Sequence, residues 1–85
     1  MYSFLMAENR TDLPAITVCG ADGVIFPDIP AGHSTGFKRV DAGSLRLEIY
    51  DNRMKKITVF WLPMRPASRA RVCIFPDYVT FTLLQ

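Results

Sequence analysis

The sequence predicts an all-β fold, a small two-sheet antiparallel β-sandwich of about seven strands, Ig-like or jelly-roll-like. Two observations predict it. Apolar and polar residues alternate with a period of two along most of the chain, and no segment shows the 3.6-residue period of a helix. Glycine, proline, aspartate and asparagine separate these segments at intervals of roughly eight to twelve residues, a spacing typical of sandwiches. The length of 85 residues predicts a single domain, residues 1–85.

A third observation is a pair of near-copies in the middle of the chain, residues 29–34 and 40–45, each with an Ala-Gly pair at its centre. Glycine adopts the positive φ that a sharp reversal of the backbone requires. The two copies therefore predict two corners between strands.

The N-terminal half is predicted to hold four strands. Residues 2–7 alternate Tyr, Phe and Met with Ser, Leu and Ala, and a polar run follows them. Residues 15–19 are short and β-branched, and the Asp-Gly pair after them favours a hairpin to residues 24–26. The fourth segment, residues 35–40, is weak.

The C-terminal half begins with the clearest alternation, in residues 44–50, and continues with residues 55–62, 69–75 and 78–84. Segment 55–62 carries large apolar groups on both faces, so both faces must be covered. The predicted core consists of Leu47, Ile49, Val59, Trp61, Val72, Ile74, Val79 and Phe81.

Composition restricts the class of protein. Hydrophobic residues make up 49% of the chain and charged residues 21%, which indicates a globular protein and not a disordered one. The net charge of +2 is small for a domain that must bind nucleic acid, so we do not expect a nucleic-acid partner.

The cellular compartment is predicted from residues 1–8, the longest apolar runs and the cysteines. Residues 1–8 lack a basic n-region and a long apolar h-region, and no apolar run approaches the roughly 20 residues of a membrane span. We therefore expect a cytoplasmic protein without a membrane span, or an envelope protein if a leader has been removed. Cys19 and Cys73 have no zinc-site or redox-pair spacing, and in a reducing compartment they are expected to be free thiols.

Several turn and strand signals resemble those of small bacterial envelope β-sandwich domains. The matching stretches are Leu-Pro-Ala-Ile-Thr-Val from residue 13, Ile-Pro-Ala-Gly from residue 29, Val-Asp-Ala-Gly-Ser-Leu from residue 40, and the closing Tyr-Val-Thr-Phe-Thr-Leu-Leu. The family includes the AlgF-like accessory proteins of alginate acetylation and a related group of uncharacterised surface domains. The resemblance implies a β-sandwich and supplies no catalytic residues.

Catalytic and metal-binding patterns are weak. His33 is the single histidine, and Asp28 and Ser34 lie near it in the sequence, but three polar residues in one loop rarely reach the geometry of a triad. Asp28 and Asp41 are the only carboxylates close enough in sequence to join His33 as metal ligands. We expect no enzyme activity, no cofactor and no metal.

Two classes of function remain open. The first is a structural or protein-interaction module that forms a homo-oligomer or docks on a partner protein. It is predicted from apolar side chains that one face of a small sandwich cannot bury, namely Phe60, Leu62, Phe75 and Leu84. The second is a module that binds an anionic ligand, which could be an acidic polysaccharide, a phosphate or a nucleic acid. It is predicted from the basic side chains near Trp61, which are Lys55, Lys56, Arg65, Arg69 and Arg71. The same charges also fit an ordinary solvated face, whose edge lysines prevent sheet-to-sheet association.

Overall fold

A computed structural model describes residues 1–84 and contains eight β-strands and, over that range, no helix. The strands are β1 (Tyr2–Asn9), β2 (Ala15–Gly20), β3 (Gly23–Pro30), β4 (Lys38–Asp41), β5 (Gly43–Asp51), β6 (Lys56–Met64), β7 (Arg69–Ile74) and β8 (Val79–Leu83). The predicted all-β class is confirmed. The number of strands is eight and not about seven, because each of the eight segments described above, including the weak fourth one, forms a strand.

The strands form two sheets of four. The first sheet has the order β4-β1-β7-β8, and the second has the order β3-β2-β5-β6. The prediction of purely antiparallel sheets is wrong at one pair, since β1 and β7 run parallel at the centre of the first sheet. Parallel neighbours need a long connection, and here that connection passes through the whole second sheet.

The two Ala-Gly corners carry the chain between the sheets. Gly32, with φ 78°, follows the last strand residue of β3 and precedes β4, while Gly43, with φ 115°, lies where β4 gives way to β5. A side chain at such φ values is strained, which accounts for glycine at both places. The corners predicted from the near-copies are thus present, and each one is a change of sheet.

Both sheets contribute to one hydrophobic core. Its buried members are Leu5, Ala7, Ile16, Val18, Phe26, Ile29, Val40, Leu47, Ile49, Leu62, Met64, Ala70, Val72 and Ile74. Four predicted core residues are among them, and Val79 and Phe81 pack against the cluster while partly buried. Trp61 was predicted wrongly, since 61% of it is exposed, and Val59 is half-buried outside the cluster.

The register between β5 and β6 explains both errors. Leu62 pairs with Leu45 and Phe60 pairs with Leu47, whereas Trp61 pairs with Arg46 and Val59 with Glu48. Cross-strand partners project to the same face of a sheet. The even-numbered apolar residues of β6 therefore face the core, and the odd-numbered ones face outward.

Buried polar groups connect segments that are distant in sequence. Asn9 is fully buried, and its Nδ2 donates to the carbonyl oxygen of Ile29 at 2.9 Å. Its Oδ1 accepts hydrogen bonds from the backbone N–H and the hydroxyl of Thr11. The hydroxyls of Ser3 and Ser68 both donate to the carbonyl of Arg65, so the loop after β6 is held against β1.

No helix long and apolar enough to cross a membrane occurs in residues 1–84.

Candidate functional site

The outward side of the first sheet carries the candidate site. On β1, Ser3, Leu5 and Ala7 are buried, so Tyr2, Phe4 and Met6 project to the opposite side. Phe4 lies at the centre, with Arg39 of β4 as its partner on one side and Arg69 of β7 on the other. Alternating strand geometry thus places aromatic and basic side chains next to each other.

Two arginines lie over aromatic rings on this side. The guanidinium carbon of Arg39 is 4.2 Å from the ring centre of Tyr2, and that of Arg69 is 5.4 Å from the ring centre of Phe37. These distances are typical of cation–π contacts. The rings nonetheless remain open to solvent, with Tyr2 53%, Phe4 40% and Phe37 43% exposed.

We call this surface the basic–aromatic face and define it by Tyr2, Phe4, Met6, Phe37, Arg39, Arg69 and Arg71. Two carboxylates project to the same side, because Asp41 is the cross-strand partner of Tyr2 and Glu8 follows Met6 in the alternation of β1. Arg71 belongs to it because Arg71 pairs with Met6 across the parallel ladder.

The arginines of the basic–aromatic face form no ion pair with another residue of the described chain. Within residues 1–84 the ion pairs join Arg10 to Glu8, and Arg46 and Lys56 to Glu48. None of Arg39, Arg69 and Arg71 takes part in them, and the buried Nε of Arg71 has no hydrogen-bond partner among the described residues. Three guanidinium groups therefore keep their charge available to a bound group.

A groove of about 550 Å³ continues the face around one end of the molecule. Tyr2 and Arg39 form one side of it, and Arg46 and the exposed Trp61 of the second sheet form another. The β2–β3 hairpin, with Asp22, and the β4–β5 corner, with Asp41, complete the lining, so the groove holds carboxylates as well as arginines. An occupant of the face thus has a concave extension available at the Tyr2 end.

The structure divides the predicted anion-binding residues. Arg69 and Arg71 lie on the basic–aromatic face, and the loop that contains Arg65 borders it, since Ala67 N–H donates to the carbonyl of Tyr2. Lys55 and Lys56 lie elsewhere, at the start of β6, and Lys56 Nζ is held 3.1 Å from Glu48 Oε1. The five residues do not form one patch.

The predicted interaction residues are also divided. Leu62 is only 4% exposed and belongs to the core, so the prediction that it is an exposed interaction residue is wrong. Phe60 and Phe75 both line a groove of about 420 Å³ between β6 and the β7–β8 turn, where the ring of Phe75 stacks on Tyr78 at 4.6 Å. Leu84 is 43% exposed and follows β8.

The outer side of the second sheet has its charges paired internally. Glu48 accepts a hydrogen bond from the hydroxyl of Tyr50 at 2.7 Å and further bonds from Arg46 and Lys56. The Tyr50 bond, followed by those of Arg46 and Lys56, lowers the pKa of Glu48 to about 2. Because Glu48 compensates two basic groups, this side offers less free charge than the basic–aromatic face.

The remaining chemistry-bearing residues stand apart from one another. His33 is exposed, and its Nδ1 lies 3.1 Å from the carbonyl oxygen of Ala31. No group of three potential metal ligands is found in the described part of the chain. Cys19 and Cys73 are free, as predicted, and lie on strands of different sheets. Burial raises the pKa of both thiols, which disfavours the reactive thiolate.

Sequence reasoning missed Tyr2, Phe4, Phe37 and Arg39. The signal that could have found the first two is the alternation in residues 2–7, where the larger aromatic set lies opposite Ser3, Leu5 and Ala7. Arg39 is assigned to the face only through the pairing of β4 with β1, and Phe37 only through its contact with Arg69.

Comparison of the chain with protein-family models and with curated proteins gives no match.

Proposed function

We propose that this protein is a non-catalytic interaction module that docks on a partner protein through the basic–aromatic face. The observation that carries the proposal is the row Arg39, Phe4 and Arg69 across three neighbouring strands. The exposed ring of Phe4 lies at its centre, and the exposed rings of Tyr2 and Phe37 contact the two arginines. The partner surface is inferred to be acidic and partly apolar.

The side-chain types support a protein partner. Tyrosine, phenylalanine, methionine and arginine are enriched in the buried parts of protein interfaces. Tyrosine and arginine are also among the residues that contribute most of the binding energy. An aromatic side chain has only two torsion angles, so little conformational entropy is lost when its ring is covered. Sheet pairing fixes Phe4 and Met6 between neighbouring strands, which favours a preformed binding surface.

The charges support an acidic partner. Arg39, Arg69 and Arg71 are free of intramolecular ion pairs in residues 1–84, so a carboxylate of the partner would not have to displace one. Arginine binds carboxylates with two parallel hydrogen bonds. Covering the neighbouring rings would lower the local dielectric and strengthen such contacts.

The non-catalytic part of the proposal is supported by where the reactive side chains lie. His33 interacts with a carbonyl of its own loop, and the raised thiol pKa values keep Cys19 and Cys73 protonated near neutral pH.

A second candidate, binding of an anionic polymer, is favoured by one observation. Arg39 and Arg69 lie on aromatic rings, and single-stranded nucleic acids use such rings for stacking and such charges for phosphates. Against it, Lys55 and Lys56 do not join Arg69 and Arg71, so no long basic track is present among the candidates. We therefore rank the protein partner first.

We further infer that the two sheets form a β-sandwich of the Ig-like or jelly-roll-like kind. The common core supplied by alternate residues of both sheets supports a sandwich. The resemblance to AlgF-like envelope domains supports the same architecture and a role without catalysis. A crystal structure that gives the angle between the sheets tests this inference.

The experiment is a selection of binding sequences from a library of displayed random peptides, followed by affinity measurement with three proteins. The first is the unchanged chain. The second carries Arg39→Glu and Arg69→Glu on the face, and the third, a control with the same charge change, carries Arg53→Glu and Lys55→Glu at the exposed β5–β6 turn.

Selected peptides are expected to combine Asp or Glu with apolar residues, and to lose affinity roughly a hundredfold only in the face variant, a change of about 2–3 kcal/mol for two charged contacts. Equal loss in the control variant would contradict the proposal. Heparin or oligothymidine that binds in a face-dependent way, with no peptide selected, would replace it by the anionic-polymer function.

A further inference from the structure

The two sheets have four edge strands, and only one of them is unprotected. An open edge presents unpaired backbone groups to other chains, and proteins block it with charges, prolines or bulges. The edge strand β4 is protected by the charges of Lys38, Arg39 and Asp41. The edge strand β3 contains Pro27, and its register against β2 shifts twice. The edge strand β6 contains Lys56 and Pro63, and its register against β5 shifts once.

β8 has none of these features. Its sequence Val-Thr-Phe-Thr-Leu contains no charge and no proline, and its pairing with β7 has no register shift. All five residues are β-branched, aromatic or leucine, which fits a pleated strand. This edge is thus open to a further strand.

The hydrogen-bond pattern shows which groups of β8 are free. Leu84 N–H donates to the carbonyl of Arg69, and Phe75 N–H donates to the carbonyl of Tyr78. Because bonding alternates along an antiparallel strand, Thr80 and Thr82 also bond toward β7. The N–H and C=O groups of Val79, Phe81 and Leu83 therefore point to the open edge.

The sequence of β8 also allows it to pair with β8 of a second copy of the chain. Its sequence is nearly a palindrome about Phe81, with threonine on each side and an aliphatic residue at each end. When two copies run antiparallel about that centre, Phe81 meets Phe81, Thr80 meets Thr82, and Val79 meets Leu83. Every outward backbone group of β8 then has a partner, and the threonines form cross-strand pairs, a favourable combination in sheets.

We propose that the chain forms a two-fold homodimer by antiparallel pairing of β8 with β8 of a second copy, centred on Phe81. The first sheets of the two copies join into one sheet of order β4-β1-β7-β8-β8-β7-β1-β4. The strand carries no charge, so two copies meet there without repulsion, whereas the charged or bulged edges of β3, β4 and β6 disfavour pairing. The partly buried Phe81 becomes covered.

The joined sheet also has a consequence for the basic–aromatic face. A two-fold axis perpendicular to the sheet keeps the outward sides of both copies on the same side of the assembly. The dimer thus presents two basic–aromatic faces in one direction. The dimer itself does not depend on what the faces bind, so each proposal can fail without the other.

The test is the dimer dissociation constant, measured by sedimentation equilibrium on the intact chain and its variants. Leu83→Pro removes an outward N–H without removing a bond to β7, and it is expected to weaken the dimer roughly tenfold or more, because one hydrogen bond is lost from each copy. Leu83→Ala, which keeps the N–H, serves as its control and should weaken the dimer less.

The proposed register between the two copies of β8 is tested by two double variants at Thr80 and Thr82, whose side chains lie on the solvent-facing side of the sheet. Thr80→Lys with Thr82→Lys places like charges opposite each other across the two-fold axis and should yield monomer. Thr80→Glu with Thr82→Lys places opposite charges there and should keep the dimer. Far-UV circular dichroism checks that each variant keeps its β-structure.

Amide exchange on the unchanged chain provides a direct signature. The amides of Val79, Phe81 and Leu83 are expected to become protected as concentration rises, while those of Thr80 and Thr82 are protected throughout. A strict monomer at several hundred micromolar, or a dimer that Leu83→Pro and the double lysine variant leave equally strong, would overturn the proposal.

Discussion

Asn9 shows how one side chain fixes the relation between segments that are far apart in sequence. It is fully buried on β1, donates to the Ile29 carbonyl of β3, and accepts two hydrogen bonds from Thr11. In the sequence it indicates only the end of a strand, because Asn is common in turns. Its role in joining the two sheets depends on a contact 20 residues away.

Replacement of Asn9 by alanine is expected to lower the free energy of unfolding by about 1–3 kcal/mol, since the Ile29 carbonyl loses its side-chain donor in a buried place. Urea denaturation measures the change. Asn52→Ala, in the exposed β5–β6 turn, is the control and should stay within about 0.5 kcal/mol. Similar small effects for both variants would contradict the hydrogen-bonding role of Asn9.

Glu48 gives a prediction for pH dependence. Its pKa is lowered from 4.5 to about 2, most of all by the hydrogen bond from Tyr50. The charged form therefore stabilises the fold above the ordinary pKa of 4.5, and this contribution is lost as the pH falls from that value toward 2. Glu48→Gln should flatten the dependence of stability on pH in this window.

Carbon-detected NMR titration of the Glu48 carboxyl group checks the assignment. Tyr50→Phe removes the largest contribution and is expected to move the Glu48 pKa upward, toward its ordinary value. A Glu48 that titrates near its ordinary value in the unchanged protein, or one that Tyr50→Phe leaves in place, would show that the hydrogen bonds seen here do not control this carboxyl.

Alternation of apolar and polar residues predicts the strands of this chain well, but it does not always predict which side of a strand faces the core. Segment 44–50 has one apolar side, and the predicted core residues Leu47 and Ile49 are buried. β6 has apolar groups on both sides, so alternation alone could not choose between Trp61 and Leu62. The core-facing side of β6 is decided by its pairing with Leu45 and Leu47 of β5. That pairing is a contact between separate strands, which the local sequence of β6 does not contain.

The neighbours Leu62 and Trp61 test this assignment on one strand. Leu62→Ala leaves a cavity in the core and is expected to cost about 2–5 kcal/mol of unfolding free energy. Trp61→Ala removes a side chain that is 61% exposed and should cost less than about 1 kcal/mol. Guanidinium denaturation compares them, and a reversed order would mean that the register of β6 is shifted by one residue.

β1 illustrates the same ambiguity with a functional result. Its two alternating sets are both partly apolar, and the smaller set, Ser3 and Ala7 with Leu5, is the buried one. The aromatic set faces outward and forms the centre of the basic–aromatic face. A strand with apolar residues on both sides thus indicates that one side faces the core and the other forms an exposed apolar surface, but the pattern does not show which side faces the core.

The turns of the molecule are predictable from local sequence, whereas its long-range strand pairing is not. The Ala-Gly corners follow from glycine chemistry at single positions, and both are present. The parallel pairing of β1 with β7 joins residues more than sixty positions apart, such as Phe4 and Arg69, and no local pattern encodes it. That pairing brings Arg69 beside Phe4 and Arg71 beside Met6, so the candidate site could not be assembled from the sequence.

Docking of a partner on the basic–aromatic face can be located by chemical-shift mapping with an affinity-selected acidic peptide. The amides perturbed on binding are expected to cluster on β1, β4 and β7, around Phe4, Arg39 and Arg69, with weaker changes at the Tyr2 end of the adjoining groove. Perturbations confined to the β6–β8 groove around Phe60 and Phe75, or to the turn around Lys55, would contradict it.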